Sequence, residues 1–229
     1  MQPVARPRIK ICCISSLDEA KLAVRYGASA LGLVSHMPSG PGVISEDRIA
    51  EIAATIPPSI GSFLLTSLQD AFDIISQQQR CRTNTVQICD RLTGGSYRDL
   101  KNALPGISIV QVIHVAGQEA VDEAVSIAPY VDAILLDSGN QKLPTKELGG
   151  TGRTHDWSLS RKIREQVEVP VFLAGGLTPA NVKQAVEEVC PFGLDICSGV
   201  RTKGNLDEVK LRKLFVNISH TFGSRLTES

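Results

Sequence analysis

Short apolar runs recur along the chain, separated by segments in which apolar residues return every three or four positions. The runs begin near Arg8 (RIKICCI), Leu31 (LGLVS), Ile60 (IGSFLLT), Thr85 (TVQIC), Ile107 (ISIVQVIHV), Val131 (VDAILLDS), Pro170 (PVFLAGG) and Gly193 (GLDICSGV). They are rich in Ile, Val and Leu and of strand length, so they predict eight β-strands. The intervening segments predict helices. Several open with a small polar side chain able to accept from free backbone N–H groups: Ser16 with Glu19, Ser67 with Asp70, Thr178 before Pro179, and Asn205 ahead of Glu208. Apolar stripes such as Ala20, Ala23 and Val24, or Val182, Ala185 and Val186, give each helix one face to lay on a sheet.

The order is always strand then helix, with strand starts mostly 22 to 29 residues apart. Parallel strands need helical crossovers, and eight β-α units close into a filled cylinder. The predicted fold class is therefore α/β, a (β/α)8 TIM barrel, with residues 1–229 as a single domain. An open doubly wound sheet is the competitor, but it calls for a glycine-rich turn after the first strand, and here that turn reads ICCISSLDEA.

Charge and cysteine usage narrow the partner. In 229 residues, 24 Lys+Arg balance 24 Asp+Glu, which leaves no excess of positive charge for nucleic acid or an anionic membrane. No apolar run reaches membrane-spanning length and no signal peptide stands at the start, so the expectation is a cytoplasmic protein with a small-molecule partner. The six cysteines, at 12, 13, 81, 89, 190 and 197, form no CxxC pair and no zinc spacing with the four histidines; they read as reduced thiols, with no metal and no cofactor. Nothing in the sequence argues for or against a homodimer.

In such a barrel the chemistry sits where strands end at their C-terminal side. Those positions hold Cys12, Ser35 and His36, Cys89 and Asp90, His114, Asp137, Gly175 and Gly176, and Ser198 and Gly199. Glycines cluster late, in GGTGR (Gly149, Gly150, Gly152), AGG and SGV. Loops after the seventh and eighth strands of barrels hold phosphate on bare backbone N–H groups, the alternative being tight turns alone. Lys10 and Cys12 share a strand face, which is the barrel interior if that face is the inner one. Cys12 taken singly reads as a buried apolar thiol. Asp137, directly after AILL, is costly to bury unless paired or exposed at the mouth, so it reads either as a loop cap or as a working group.

The motifs KICCIS (Lys10 to Ser15), GASALGLV (Gly27 to Val34), VQIC (Val86 to Cys89), LLDS (Leu135 to Ser138), GGTGRTHDW (Gly149 to Trp157), PVFLAGGLTPANV (Pro170 to Val182) and LDICSGV (Leu194 to Val200) cover almost the whole chain. Together they resemble the phosphoribosylanthranilate isomerase family of tryptophan biosynthesis. The resemblance implies a (β/α)8 fold and an Amadori rearrangement that turns a phosphorylated aminoaldose into an aminoketose. It implies Cys12 as general base and Asp137 as general acid, with substrate phosphate against Gly175, Gly176, Ser198 and Gly199 and with Gly150 and Gly152 above. Lys10, Gln87 and Arg153 are further candidates for the site. A cysteine serves as base only as a thiolate, and a cation such as Lys10 favours that form.

Three departures from the family pattern stand out. Its Cys-Gly is Cys12-Cys13 here; its Ser-Pro-Arg after the second strand is Gly40-Pro41-Gly42; its VQLHG is VQICD. The missing arginine is the family's partner for the substrate carboxylate, since a guanidinium offers two parallel charge-assisted hydrogen bonds. Asp90 is expected to add negative charge at the mouth, and His36, Arg91, Arg153 and Arg201 are the replacement cations on offer, with Arg153 the best placed. The alternatives to the family reaction are a different phosphorylated sugar as substrate, or a non-catalytic phosphosugar-binding barrel. If the substrate has changed, Gly42→Arg is expected to improve activity on phosphoribosylanthranilate.

Overall fold

The computed structural model describes residues 6–139, 145–150 and 152–223. Eight parallel strands close on themselves in chain order: β1 (Arg8–Ile11), β2 (Ala30–Val34), β3 (Gly61–Thr66), β4 (Thr85–Ile88), β5 (Ser108–His114), β6 (Ala133–Asp137), β7 (Val171–Leu173) and β8 (Gly193–Ile196). Closure is made by β1 on β8, with Arg8 opposite Gly193 and Ile11 opposite Ile196. The crossovers are α1 (Leu17–Tyr26), α2 (Glu46–Ala53), α3 (Ala71–Cys81), α4 (Tyr97–Ala103), α5 (Glu119–Ile127), α6 (Trp157–Gln166) and α7 (Val182–Val189). A two-stranded ribbon, β9 (Arg201–Thr202) and β10 (Asn205–Leu206), leads into α8 (Glu208–Gly223). The (β/α)8 class expected from the alternation is the observed one. Among the described residues no helix is long and apolar enough to cross a membrane.

Strand parity divides the buried residues into two sets. Ile9, Ile11, Leu31, Leu33, Val86, Ile88, Leu194 and Ile196 point outward and pack beneath the helices. Residues of the other parity, among them Ala30, Phe63, Val110, Val112, Ala133 and Phe172, fill the cylinder. Lys10 and Cys12 belong to this inner set. The floor is aromatic: Phe63 and Phe172 meet edge to face with centroids 6.0 Å apart, and Lys10 Nζ lies 5.2 Å from the Phe63 ring centre.

Helix starts follow the capping rule, though not always at the expected residue. Ser16 caps α1 by accepting from Glu19 N–H, and Gly27 ends that helix at φ +105°. Asp70, rather than Ser67, caps α3, accepting from Phe72 and Asp73 N–H. Thr178 and Pro179 form a turn ahead of α7, which starts only after Asn181. Asn205 lies in the ribbon, and the carboxylate that accepts from Lys210 N–H at the head of α8 belongs to Asp207. At α3 and α8 a side chain nearer the first free N–H groups takes the bond, whereas Asn181 spends its side chain on Thr178 and makes no cap bond to α7.

Candidate active site

The C-terminal ends of the strands surround one cavity, and most of the expected residues line it. Cys12, Gln87, Asp137, Gly150, Gly152, Gly175, Gly176 and Ser198 all face it; Asp195, Cys13, Cys89 and Cys197 join them. Lys10 lies beneath, fully buried. Gly199 packs behind, where an added Cβ would stand 1.9 Å from Leu177 O. Its lack of a side chain is thus explained by close backbone approach alone.

The floor holds an ion pair. Lys10 and Asp195 are opposite one another in the β1–β8 register, and Lys10 Nζ donates to Asp195 Oδ2 over 2.7 Å. Burial alone would neutralise the amine, but Asp195, with smaller help from Cys12, outweighs burial and holds Lys10 cationic, its pKa raised. The other carboxylate oxygen, Asp195 Oδ1, is buried without a hydrogen-bond partner among the described residues. Asp195 was not among the expected site residues; the signal for it was a lone acid inside the apolar run GLDI. Cys12 stands above the pair. A Cβ placed on Gly32 would come within 2.8 Å of Cys12 Sγ and 3.1 Å of Lys10 Nζ. The thiol and the ammonium therefore share the space that Gly32 leaves.

Across the cavity, Asp137 ends β6 opposite His114 of β5. Burial pushes its carboxyl above the usual range, against the opposing pull of the Ser138 N–H, which donates to Oδ1 over 2.7 Å, and of His114. The result favours a protonated acid. The loop after β6 crosses above it: a Cβ on Gly149 would lie 2.7 Å from Asp137 Oδ2, and one on Gly150 would lie 2.7 Å from Pro41 Cδ. Ser39 Oγ donates to Lys146 O over 2.7 Å, tying this roof to the loop after β2.

Gly152, Gly175, Gly176 and Ser198 meet at one side. Gly175 and Gly176 have φ of +81° and +60°. A Cβ at Gly176 would strike the backbone of Arg153 and Thr154 at 2.6 and 2.7 Å, and one at Gly152 would rest 3.6 Å from Ser198 Oγ. Thr151 of the same motif lies outside the described residues. His155 is buried behind this corner, its ring bonded to Ser160 Oγ at 2.6 Å and pushed down to about 4 by burial, so it stands neutral.

The thiols differ in character. Burial pushes the Cys89 thiol up, so it stays protonated. Gln87 Nε2 rests 3.8 Å from Cys89 Sγ while Gln87 Oε1 is buried with no protein partner. Cys13 takes φ +61°, the left-handed region that favours glycine. Its Cβ occupies the space beside Gly42, where an added Cβ would stand 2.5 Å away.

Two of the departures therefore compensate each other, and this corrects the expectation for Gly42→Arg: that side chain has no room while Cys13 is present, and Gly42 itself sits at φ +82°. Asp90 is also corrected. It takes its charge to Lys146, 2.6 Å away, and is not among the cavity-lining residues. The replacement cations face elsewhere: Arg91 pairs with Glu123, Arg201 with Glu19, and Arg153 with Glu147. None of them lines the cavity, although the Arg153 backbone packs on Gly176.

A parallel barrel whose strand ends bring a thiol and a buried acid to one cavity, beside a corner of bare backbone, defines a class: a TIM-barrel enzyme equipped for proton transfer on a small ligand. The family model of N-(5'phosphoribosyl)anthranilate (PRA) isomerase matches residues 9–217. N-(5'-phosphoribosyl)anthranilate isomerase 2 of Methanosarcina mazei is 36% identical over 206 residues, 89% of this chain and 90% of that one. The crystal structure of the phosphoribosyl anthranilate isomerase of Thermotoga maritima superposes with TM-score 0.77 at 27% identity, covering 93% of this chain and 99% of that one. A structure of a phosphoribosyl anthranilate isomerase solved with reduced 1-(o-carboxyphenylamino)-1-deoxyribulose 5-phosphate gives TM-score 0.74 at 25% identity, covering 93% of this chain and 99% of that one. The chain belongs to the N-(5'-phosphoribosyl)anthranilate isomerase family.

Proposed function

We propose that this chain isomerises N-(5'-phosphoribosyl)anthranilate to the 1-deoxyribulose 5-phosphate ketose, with Asp137 as general acid and Cys12 as general base. The observation that carries this reading is that the two groups face one cavity from opposite sides. Burial favours the neutral form of Asp137, while Cys12 has the Lys10 ammonium for a neighbour. Asp137 gives its proton to the ring oxygen, the ring opens to an iminium, and the Cys12 thiolate removes the C2 proton to give the enolamine, which settles to the ketose. A buried acid at neutral pH can donate only if its environment disfavours the charge, which is what the roof over Asp137 provides.

The phosphate is held by backbone N–H groups of Gly152, Gly175, Gly176, Ser198 and Gly199, a corner to which the described lining residues bring no cation side chain. The unpartnered Asp195 Oδ1 and Gln87 Oε1 accept from sugar hydroxyls. The aryl group packs on Val34, Met37 and Leu65, apolar residues of the opposite wall. With a soluble sugar phosphate as substrate, the reaction belongs in the cytoplasm.

The test is to add freshly prepared phosphoribosylanthranilate and follow its fluorescence. Loss of the signal at an ordinary enzymatic rate is expected. Binding without turnover would replace this reading with that of a phosphosugar-binding barrel.

A further inference from the structure

Two cavity-lining thiols that this chemistry leaves unused lie against each other. Cys13, just beyond β1, and Cys197, just beyond β8, have Sγ atoms 2.8 Å apart. The backbone sets up the encounter: Cys12 N–H donates to Ile196 O over 2.9 Å, continuing the β1–β8 pairing to the cysteines. Both line the cavity, but Cys197 is partly exposed and Cys13 is buried, so Cys197 is the more accessible of the two to a reagent there.

The two thiols are also unequal. The hydrogen bond with Cys13 holds the Cys197 thiol below its usual range despite burial, with Arg201 adding to the effect. Cys13 is held above the usual range by its hydrogen bonds to Cys12 and Cys197, and by burial. Cys197 is thereby the nucleophile of the pair and Cys13 the resolving thiol. Arg201 donates to the carbonyl oxygens of Cys12 and Cys13, which fixes the strand end that carries the resolving thiol.

We propose that Cys13 and Cys197 are a thiol–disulfide modification site within the substrate cavity, closed by a low-molecular-weight disulfide and reopened by a thiol. The Cys197 thiolate attacks one sulfur of the small disulfide, whose S–S bond breaks and expels one thiolate. Cys13 then attacks the Cys197 sulfur, the mixed disulfide breaks, and a second thiolate leaves. The protons lost by Cys13 and Cys197 pass to the two leaving thiolates. Two protein thiols are oxidised to one disulfide, and the small disulfide is reduced to two thiols. Closure draws the sulfurs from 2.8 Å to about 2.05 Å, between the Cys12 backbone and the Ser198 corner, and so disturbs both ends of the bound substrate.

The experiment treats the folded protein with oxidised glutathione and maps peptides without reduction. Cys12→Ser and Cys190→Ser are introduced together so that Cys13 and Cys197 are the only cysteines in their tryptic peptides. A direct link between those peptides, reversed by dithiothreitol, is expected. It should be absent from Cys197→Ser and from Cys13→Gly, the latter suited to the left-handed backbone and so certain to test the partner if Cys197→Ser folds poorly.

In the otherwise native chain, oxidised glutathione should lower turnover by roughly tenfold or more, reversibly, each variant being compared with its own untreated rate. A glutathione adduct without the link, or a link in the native chain that runs through Cys12, would overturn the proposal. The activity arm rests on the isomerase reading and the mapping arm does not. Untreated enzyme that fails to turn over phosphoribosylanthranilate would therefore sink that reading and leave the link to be judged on its own.

Discussion

Over β6, β7 and β8 the mouth of the barrel is made largely of glycine backbone: Gly149 and Gly150 roof Asp137, Gly176 and Gly199 pack on neighbouring main chain, and Gly175 packs on the Ser138 and His155 side chains. Over β1, β2 and β4 it is made of side chains, with Cys12, Cys13, Val34, Met37, Gln87 and Cys89 facing the same space. The first half leaves little freedom, because each missing Cβ is closely answered: by main chain at Gly176 and Gly199, by Asp137 at Gly149, by Pro41 at Gly150, and by Ser138 and His155 at Gly175. The second half accepts exchange when two positions change together. Cys13 filling the space beside Gly42 is such an exchange, and both residues lie at departures from the family pattern. On the proposed reading, the charged end of the ligand meets glycine backbone and the rest of it meets side chains.

The strongest way to break this division is at the two groups that face each other across it. Asp137→Asn and Cys12→Ala should each lower kcat by about 10² to 10⁴, the range of a lost proton-transfer group. Near-normal kcat in both would remove the acid–base pair. Next in size is the phosphate corner. A sugar phosphate at 100 times its Kd should stabilise the fold by about 2.7 kcal/mol, and Ser198→Asp should abolish that shift by placing a carboxylate where the phosphate rests. Ser198 is exposed, so this variant, unlike one at Gly199, leaves the backbone packing alone. A melting curve with and without ligand decides it.

The exchangeable half predicts coupling. Gly42→Arg alone should cost about 1–3 kcal/mol by overpacking against Cys13, and Cys13→Gly in the same chain should restore much of it. Additive losses in urea melts would show that the two positions do not share one space.

The smallest effect has the opposite sign. Burial raises the folded-state pKa of Asp137, so the folded chain holds a proton there more tightly than the unfolded chain does. Stability from this group is fully present below the unfolded carboxylate pKa of about 3.9 and is lost as pH rises through the higher folded value. Asp137→Asn removes that loss. The variant should melt higher than the parent at pH 8 and converge with it near pH 4, inactive yet more stable.

The strand pattern was legible because all eight strands are buried on both sides and therefore read as short apolar runs, and the parity of Lys10 and Cys12 followed from the strand period. The helix starts shifted where a second polar residue stood closer to the first turn, as Asp70 does relative to Ser67. Contacts created by barrel closure were not legible. Lys10 and Asp195 are separated by nearly the whole chain, as are Cys13 and Cys197, and only the β1–β8 seam makes them neighbours. The Cys13–Gly42 exchange was visible as two separate departures, but their reciprocity is a fact of volume that a linear sequence does not carry.

The depth of Lys10 has a consequence for ionic strength. Exposed charges around the mouth, such as Arg153 and Lys146, are screened over a Debye length of about 8 Å in physiological salt and about 3 Å at 1 M. Lys10 has no exposed surface, and its partner Asp195 shows only a small edge to the cavity floor. Mobile ions cannot enter between that pair and the thiol above it. Salt can therefore slow the capture of a charged substrate while leaving the field at Cys12 as it was, so the rate of encounter belongs to the solution and the electrostatics of the chemical step belong to the interior.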